Sequence, residues 1–262
     1  MKRSTSDIKW RREQILTLLK EAPNENLSVE ALAAQLNVSE MTIRRDLKIL
    51  DDMGKVIRQH GSATLGEQPH FEGDTHNNPL ETLKYTIAKK AASFVKQHMT
   101  LYMNTSSTAL QCVDFLKELP LTIVTNNLLM SQKEMHPAST IILSGGEIRF
   151  PKAALVGDLA LRSLTDIHSD IAILGCSGIS AEKGITTGNF HEANVNRLMI
   201  QNAQSLVIVV ADYRKIGTNA NFVVTNLDAI DILITDVYAD EQMIRDIEAK
   251  GVTVLQVSNL YT

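Results

Sequence analysis

Residues 29–63 have the sequence VEALAAQLNVSEMTIRRDLKILDDMGKVIRQHGSA, and this stretch decides the fold of the first part of the chain. Ser28 is a good N-cap, and the apolar residues that follow it recur at helical spacing. After a short break, Ser39 caps a further helix that ends near Gly54. Residues 55–63 alternate loosely and predict a small hairpin. With a preceding helix over residues 7–21, the order predicts a helix-turn-helix followed by a wing.

The helix that begins after Ser39 has two different faces. Its inward face carries Ile43, Leu47 and Leu50. Its other face carries three cations and one flexible apolar side chain, at Met41, Arg44, Arg45 and Lys48. Arginines at this spacing suit a major groove, where they bind guanine edges or phosphates. The alternative is a solvated basic face on a small helical bundle.

Further groups in the same region are predicted to contact DNA. Ser39 and Thr42 lie at the helix start, where a hydroxyl and the helix N-terminus together favour phosphate. Lys55, Arg58 and His60 add polar and basic groups along the hairpin. We expect Ser39 and Thr42 to donate to phosphate, and the basic residues of the hairpin favour DNA binding over a solvated basic face.

Composition restricts the class of protein. The chain has 262 residues, of which 44% are hydrophobic and 21% charged, so a disordered chain or a fibrous repeat is excluded. No apolar stretch approaches the about 20 residues that a membrane-spanning helix needs. The start of the chain does not resemble a secretion signal. Cys112 and Cys176 have no metal or redox spacing, so we expect a cytoplasmic protein without metal or cofactor.

Charge and composition divide the chain into two parts. Residues 1–62 contain 11 lysines and arginines against 9 acidic residues, whereas the remaining 200 contain 15 against 21. Residues 64–80 are rich in glycine, proline, histidine and asparagine and are interpreted as a linker. We therefore predict a DNA-binding domain over 1–63 and a second domain over 81–262.

The second part alternates apolar strands with helices, beginning with a helix near 81–97. The predicted strands are Thr100–Met103, Thr122–Val124, Thr140–Leu143, Ile171–Leu174, Leu206–Val210, Ile232–Thr235 and Val252–Val257. Such alternation predicts an α/β domain with a mostly parallel sheet covered by helices on both faces.

A run of polar residues follows the first predicted strand of this domain. It consists of Asn104, Thr105, Ser106, Ser107 and Thr108, just before an apolar helix. Ligands of open α/β sheets bind at the carboxyl ends of strands, and hydroxyls with backbone N–H groups hold phosphate there. A well-capped helix without a ligand is the alternative.

Other candidate ligand-binding residues follow the later strands. They are Thr125, Asn126, Gly145, Gly146, Gly175, Ser177, Gly178, Glu192, Asp212 and Lys215. Thr125, Asn126 and Glu192 offer polar atoms to sugar hydroxyls, whereas the glycines permit close backbone approach or simply form turns. Lys215 is our candidate for a cation that faces a phosphate or a neighbouring carboxylate. Cys176 is interpreted as a small buried residue.

The head closely resembles that of the DeoR family of bacterial transcriptional regulators. The family signature V-S-x-x-T-I-R-R-D-L is matched by residues 38–47, and the wing motif H-G-G-A is matched by His60-Gly61-Ser62-Ala63 except at its second glycine. The resemblance implies that the third helix reads DNA and that the wing touches its backbone or minor groove. Asp46 is interpreted as structural, since a carboxylate there can orient Arg44 and Arg45.

The resemblance extends over almost the whole chain. It includes LSGG at 143–146, GITTGNFHEAN at 184–194 and ADYRKIG at 211–217. It implies an effector domain similar in fold to ribose-5-phosphate isomerase that binds a phosphorylated sugar or related metabolite. The family pattern D-x-G-[ST]-T becomes Asn104-Thr105-Ser106-Ser107-Thr108 here, with Asn104 in place of the acid and Ser106 in place of the glycine.

These observations predict a regulator, more specifically a repressor of a carbohydrate-metabolism operon that a phosphorylated sugar releases or modulates. Its expected partners are double-stranded operator DNA, the effector and further copies of itself, as a dimer or tetramer. The related isomerases have an acidic segment where this chain has residues 175–178, so we expect binding without turnover. Two alternatives remain open: an isomerase-like enzyme with an appended head, and a constitutive DNA-binding protein with a degenerate pocket.

Overall fold

The computed structural model describes residues 5–21, 27–52, 56–59, 61–65 and 79–258. The chain divides into two compact units between residues 78 and 79. Each unit has its own hydrophobic core, as the alternation of apolar patterns along the sequence requires.

The first unit contains three helices and a small antiparallel sheet. Its elements are α1 (Thr5–Glu21), β1 (Leu27–Ser28), α2 (Val29–Gln35), α3 (Glu40–Asp52), β2 (Val56–Gln59) and β3 (Ser62–Leu65). The Ser28 side chain caps α2 by accepting from Ala31 N at 3.0 Å, and Ser39 accepts from Thr42 N at 3.3 Å at the start of α3. Both caps are those that the sequence predicts.

The core of the first unit lies between its helices. Ile15, Leu32 and Ile43 are fully buried there, and Leu47 and Leu50 are almost so. The inward face predicted for α3 is confirmed, because a helix of 3.6 residues per turn brings positions 43, 47 and 50 to one side.

Asp46 connects two helices of this unit. Arg11 Nε of α1 donates to Asp46 Oδ2, and Arg12 Nε donates to Asp46 Oδ1 at 2.9 Å. The prediction that Asp46 orients Arg44 and Arg45 is wrong, because this buried carboxylate binds the arginines of α1 instead.

The hairpin of β2 and β3 also pairs with β1, in the order β1-β3-β2. Val29 N at the start of α2 donates to Gly61 O at 2.8 Å, which ties the hairpin turn to the helix. Gly61 has a φ of +77°, a conformation that favours glycine. Ser62, which stands where the family motif has its second glycine, lies in β3 opposite Gln59 and needs no such freedom. The hairpin extends to Leu65, two residues past the predicted end of the head.

The second unit is built on alternating strands and helices. Its helices are α4 (Pro79–Ala92), α5 (Ser107–Cys112), α6 (Asp158–Thr165), α7 (Phe190–Gln201) and α8 (Glu241–Glu248). Its strands are β4 (Thr100–Met103), β5 (Thr122–Thr125), β6 (Thr140–Leu143), β7 (Glu147–Arg149), β8 (Ala154–Val156), β9 (Ser169–Gly175), β10 (Gly178–Ser180), β11 (Gly184–Thr187), β12 (Ala203–Val210), β13 (Phe222–Thr225), β14 (Ile232–Asp236) and β15 (Thr253–Val257). The first helix ends at Ala92 rather than near residue 97.

The seven strands predicted from the sequence form one parallel sheet, in the order β15-β14-β12-β9-β4-β5-β6. One hydrophobic cluster contains Ile87 of α4 and Ile208 of β12, and the other contains Val195 of α7 and Val209 of β12. Neighbouring residues of one strand therefore enter different clusters, so both faces of the sheet are buried, as predicted.

The chain reverses its direction of travel across this sheet at β4. From β4 it proceeds outward through β5 and β6, and it then returns to place β9 on the other side of β4. The carboxyl ends of β4 and β9 are therefore adjacent, and the loops that leave them lead to different elements. In open α/β sheets such a point is where ligands bind.

Candidate functional site

The outer face of α3 presents the side chains predicted to contact DNA. Met41 is 61% exposed, and Arg44, Arg45 and Lys48 are exposed with it. Arg44 makes an ion pair with Glu40 one turn earlier, at 3.0 Å, and both side chains are about half exposed. The arginines and Lys48 are thus free of the core and share one surface with Met41.

The remaining head residues have different places. Ser39 and Thr42 are joined by a hydroxyl–hydroxyl hydrogen bond of 2.9 Å at the start of α3. Arg58 lies on β2 opposite Ala63 of β3. Lys55 and His60 lie outside the described residues.

The loops after β4 and β9 meet at Asn104. Its Nδ2 donates to Gly175 O at 2.8 Å, and its Oδ1 accepts from Gly175 N at 3.0 Å. The same amide also donates to Asn196 Oδ1 and accepts from Ser106 N, each at 3.2 Å. Asn104 is buried and makes its hydrogen bonds within the protein, so its role is to hold the carboxyl ends of β4 and β9 together. The region around this junction of Asn104 and Gly175 is called the crevice below.

Ser106 and Gly175 fit each other at this junction. Ser106 accepts from Ala109 N at 3.3 Å and so caps α5. A Cβ on Gly175 would lie 2.0 Å from Ser106 Oγ, closer than any real contact. The serine that replaces the family's glycine thus occupies the space that Gly175 leaves open.

A charged group lies beside the same loop. Thr105 Oγ1 and Lys152 Nζ each lie 3.3 Å from Glu192 Oε2, where Glu192 belongs to the first turn of α7. Glu192 is buried, whereas the Lys152 side chain is 34% exposed. The carboxylate is therefore held by two side chains and positioned at the edge of the crevice.

The polar residues at the carboxyl end of β5 form hydrogen bonds with the protein's own backbone. Thr125 is fully buried and donates to Met103 O at 2.6 Å. Asn126 Nδ2 donates to Leu155 O at 3.2 Å, but its buried Oδ1 accepts no hydrogen bond from the described residues. Thr108 is buried and Ser107 exposed.

Four glycines were predicted to line the ligand site. At three of them the position of a Cβ is already close to other atoms of the protein, and Gly145 is the exception. A Cβ on Gly146 would lie 2.4 Å from Val156 O, and one on Gly178 would lie 2.4 Å from Thr218 O. Gly145 has a φ of +66° and nothing within 4 Å of its Cβ position. Ser177 is half-buried and pairs through its backbone with Thr186.

A second charged group follows β12. Asp212 accepts from Arg214 Nε at 2.8 Å. Burial by itself raises the pKa of Asp212, but the hydrogen bonds and charge of Arg214, with Lys215 and Lys84, outweigh it and hold that pKa below its ordinary value. Asp212 is thus a buried carboxylate that stays ionised among three cations.

Cys176 shows that the two charged groups share one crevice. Burial raises the pKa of the Cys176 thiol to about 12, and the thiol is also subject to the charges of Lys215, Asp212 and Lys152. Lys152 and Lys215 come from different loops, yet both act on one sulfur atom that follows β9. Lys152 and Lys215 are therefore both close to the residue that follows β9.

Sequence reasoning missed Lys84, Lys152 and Asn196. Lys84 is buried and binds Glu81 at 2.7 Å, one helical turn earlier. Lys152 lies in the turn between β7 and β8, and Asn196 meets Asn104 only because α7 packs over the β4 loop. The stretch LKYTIAKKAA contains three lysines, and its sequence alone does not distinguish buried Lys84 from exposed Lys89 and Lys90.

Other possible sites are less suitable. A cleft of about 320 Å³ lies at the amino end of β12, lined by residues such as Gln201, Ser205 and Asp231, and contains none of the predicted ligand-binding residues. Parallel sheets bind ligands at the opposite ends of their strands. Within the described ranges, no three histidine, cysteine or acidic side chains are placed to hold a metal ion, and no helix has the length and apolarity to span a membrane.

Comparison with known proteins shows which proteins this chain is similar to. Residues 11–68 match the model of a DeoR-like helix-turn-helix domain, and residues 81–237 match that of a DeoR C-terminal sensor domain. The chain is 31% identical over 248 residues to the HTH-type transcriptional repressor GlcR of Bacillus subtilis, covering 92% of this chain and 93% of that protein. It is 31% identical over 219 residues to the glycerol-3-phosphate regulon repressor of Escherichia coli, covering 80% and 84%. A solved ribose 5-phosphate isomerase A from Methanocaldococcus jannaschii aligns with a TM-score of 0.38 at 20% identity, over 52% of this chain and 54% of that one.

Proposed function

The chain belongs to the DeoR family of DNA-binding transcriptional regulators, and from that membership we propose that it represses a carbohydrate-metabolism operon and is released or modulated by a phosphorylated sugar. It is a regulator rather than an isomerase, like the regulators to which it is similar. As a protein that acts on the chromosome, it is proposed to work in the cytoplasm.

The observation that carries the DNA-binding proposal is the division of α3 into two faces. One face forms the head's core, and the other presents Met41, Arg44, Arg45 and Lys48 to solvent. We assign base contacts to the arginines and phosphate contacts to Lys48, Ser39 and Thr42. Within the hairpin, Lys55, Arg58 and His60 are proposed to contact the backbone.

The effector is proposed to bind in the crevice at the β4–β9 reversal. Lys152 and Lys215 supply positive charge from two different loops, and the loop over residues 104–108 supplies hydroxyls. The free acceptor of Asn126 at the carboxyl end of β5 suits a sugar hydroxyl. A phosphorylated sugar has both chemistries, and one relative is named a repressor of the glycerol-3-phosphate regulon.

Not every predicted effector residue is proposed to touch the ligand. Asn104, Thr125, Gly146, Gly175 and Gly178 hold or approach the protein's own chain. We propose that they shape the crevice. Direct contacts are proposed for the remaining members, Thr105, Ser106, Ser107, Thr108, Asn126, Gly145, Ser177, Glu192, Asp212 and Lys215, together with Lys152.

Regulation is proposed to work by linkage between the two units. An effector that binds one arrangement of the chain better than the DNA-competent one shifts the population toward it. The change in DNA affinity is then limited by the effector's difference in affinity for the two arrangements.

A homo-oligomer is proposed because a single head contacts little DNA. Helix-turn-helix proteins usually bind paired half-sites, so that two copies of the reading helix occupy successive turns of the major groove. The operator of this protein is therefore expected to contain two related half-sites.

The proposal is tested by fluorescence anisotropy with DNA from the chain's own upstream region, at fixed and stated salt, across a panel of sugar phosphates and the matching unphosphorylated sugars. We expect tight binding that one phosphorylated compound weakens and its unphosphorylated partner does not. Absence of DNA binding would contradict the regulator assignment. Tight binding that no compound alters would instead support a constitutive DNA-binding protein with a degenerate pocket.

A further inference from the structure

Strand β7 has an open edge on the surface of the second unit. On one side it pairs antiparallel with β8, with Ile148 opposite Leu155. All three of its residues, Glu147–Arg149, are exposed. Among the described residues, no strand pairs with its other side.

The direction of the backbone groups on that edge follows from β8. Leu155 N donates to Asn126 O at 2.8 Å, on the side of β8 away from β7. Because backbone groups alternate in direction along a strand, the residues on either side of Leu155 bond toward β7, and Ile148 directs its own N–H and C=O to the open edge. An edge that offers one donor and one acceptor in this way is a template for another strand.

The side chains around Ile148 are self-complementary. If a second β7 lies antiparallel with Ile148 opposite its own copy, the two isoleucines exchange both backbone hydrogen bonds. Glu147 then lies opposite Arg149 of the second copy on one face of the ribbon, and the reverse pair forms across the two-fold axis. A two-fold interface requires this property, since the same patch must fit itself.

Two large apolar side chains in the segments next to β7 are exposed. Phe150, which follows β7 directly, is 79% exposed. Leu159, in the first turn of α6, is 69% exposed. That turn lies close to Gly146, the residue just before β7, since a Cβ on Gly146 would lie 3.2 Å from Ala160 Cβ. These side chains supply area that a three-residue strand lacks, because a stable interface buries about 800 Å² on each partner.

We propose that the open edge of β7, with Phe150 and Leu159 beside it, is where a second copy of this chain docks through a two-fold axis at Ile148. The inference rests on the homo-oligomer proposed above and names the surface that forms it. Glu147 and Arg149 pair within one chain at 3.0 Å while both are largely exposed, so each is available to exchange partners on docking.

The test measures the mass of the full chain by light scattering at micromolar concentration. The single variants Glu147→Arg and Arg149→Glu place like charges opposite each other across the axis. Each is expected to halve the mass of the wild-type assembly. Glu241→Arg changes the acid of another exposed ion pair, on α8, and is expected to leave the mass unchanged.

Mixing provides the decisive measurement. One single variant carries two arginines at this edge and the other carries two glutamates, so an equimolar mixture is expected to regain the wild-type mass. The double variant Glu147→Arg with Arg149→Glu restores opposite charges and is expected to assemble alone. Circular dichroism that matches the wild type shows that each variant is folded.

The outcomes separate this inference from the oligomer itself. A wild-type protein that stays at 29.0 kDa contradicts both. A wild-type oligomer whose mass survives both single variants leaves the oligomer in place and overturns the β7 surface. Single variants that dissociate but do not reassemble on mixing also overturn the two-fold pairing.

Discussion

Asn104 holds the backbone of Gly175 through two hydrogen bonds, one donated and one accepted by its side-chain amide. These residues end β4 and β9, the neighbouring strands between which the chain reverses direction. A carboxylate has no donor and can make only one of the two bonds. The replacement of the family's acid by Asn104 thus matches the chain that surrounds it.

Asn104→Asp is expected to destabilise the second unit, although it restores the family's residue. The carboxylate would face Gly175 O and Asn196 Oδ1 without a donor, which costs about 1–3 kcal/mol. Urea unfolding followed by circular dichroism measures the loss. Stability equal to or above that of the wild type would show that the site adapts to the acid.

Gly175→Ala is expected to destabilise the same unit because its methyl group meets Ser106. Overpacking of this kind costs about 1–3 kcal/mol. Ser106→Gly removes the obstructing side chain, and replacing a serine N-cap by glycine costs only a few tenths of a kcal/mol. The double variant should therefore be more stable than Gly175→Ala alone, and additive losses would contradict the fit of these two residues.

Asp46→Ala is expected to loosen the head, because Arg11 and Arg12 lose the carboxylate that pairs with them. Breaking a buried ion pair costs about 3–5 kcal/mol. Glu40→Ala removes an exposed pair on the same helix and should cost at most about 1 kcal/mol. Trp10, the single tryptophan of the chain, lies on α1 and reports head unfolding by fluorescence. Equal losses of unfolding free energy in the two variants would contradict the structural role assigned to Asp46.

Arg45→Ala is expected to weaken operator binding by about 1–3 kcal/mol if the side chain contacts a base. Lys48→Ala is proposed to remove a phosphate contact. It should weaken binding to DNA of every sequence alike and reduce the salt dependence of that binding. Anisotropy titrations with operator and scrambled DNA at several salt concentrations distinguish the two. Arg245→Ala on α8 is the matched control, and wild-type affinity in Arg45→Ala would assign that arginine no contact.

Lys215→Ala is expected to leave binding to bare operator unchanged and to blunt the response to the effector. The reason is that Lys215 lies in the crevice of the second unit, beside Asp212 and Cys176. Effector titrations of the protein–DNA complex should show a rise in the concentration needed for half release. Loss of folding or of DNA binding in this variant would contradict the assignment.

Periodicity was sufficient to predict the strands of the parallel sheet and the helices of the head. The buried β-branched runs predicted all seven strands of the parallel sheet, and the 3.6-residue period separated Ile43 and Leu47 from Arg44 and Arg45. The order of the strands was not predicted, because crossover connections leave no local trace. The shorter strands β7, β8, β10, β11 and β13 have three or four residues and were missed for lack of a repeated pattern.

The positions of the candidate residues at strand ends were predictable from the sequence, whereas their hydrogen-bond partners were not. Polar residues at strand ends were correctly expected to gather near the carboxyl edge of the sheet. Asn104, however, bonds to Gly175, which lies 71 residues away, and Asp46 bonds to Arg11, which lies 35 residues away. Such pairs depend on packing between elements, and a single sequence contains no signal for them.

The division of α3 into two faces has a consequence for how regulators of this kind diverge. The side chains at 41, 44, 45 and 48 contribute nothing to the core, whereas 43, 46, 47 and 50 are buried in it. Mutation can therefore exchange one set without unfolding the head. A duplicated gene would be able to acquire a new set of target promoters through a few codons while Asp46 and its arginines are retained.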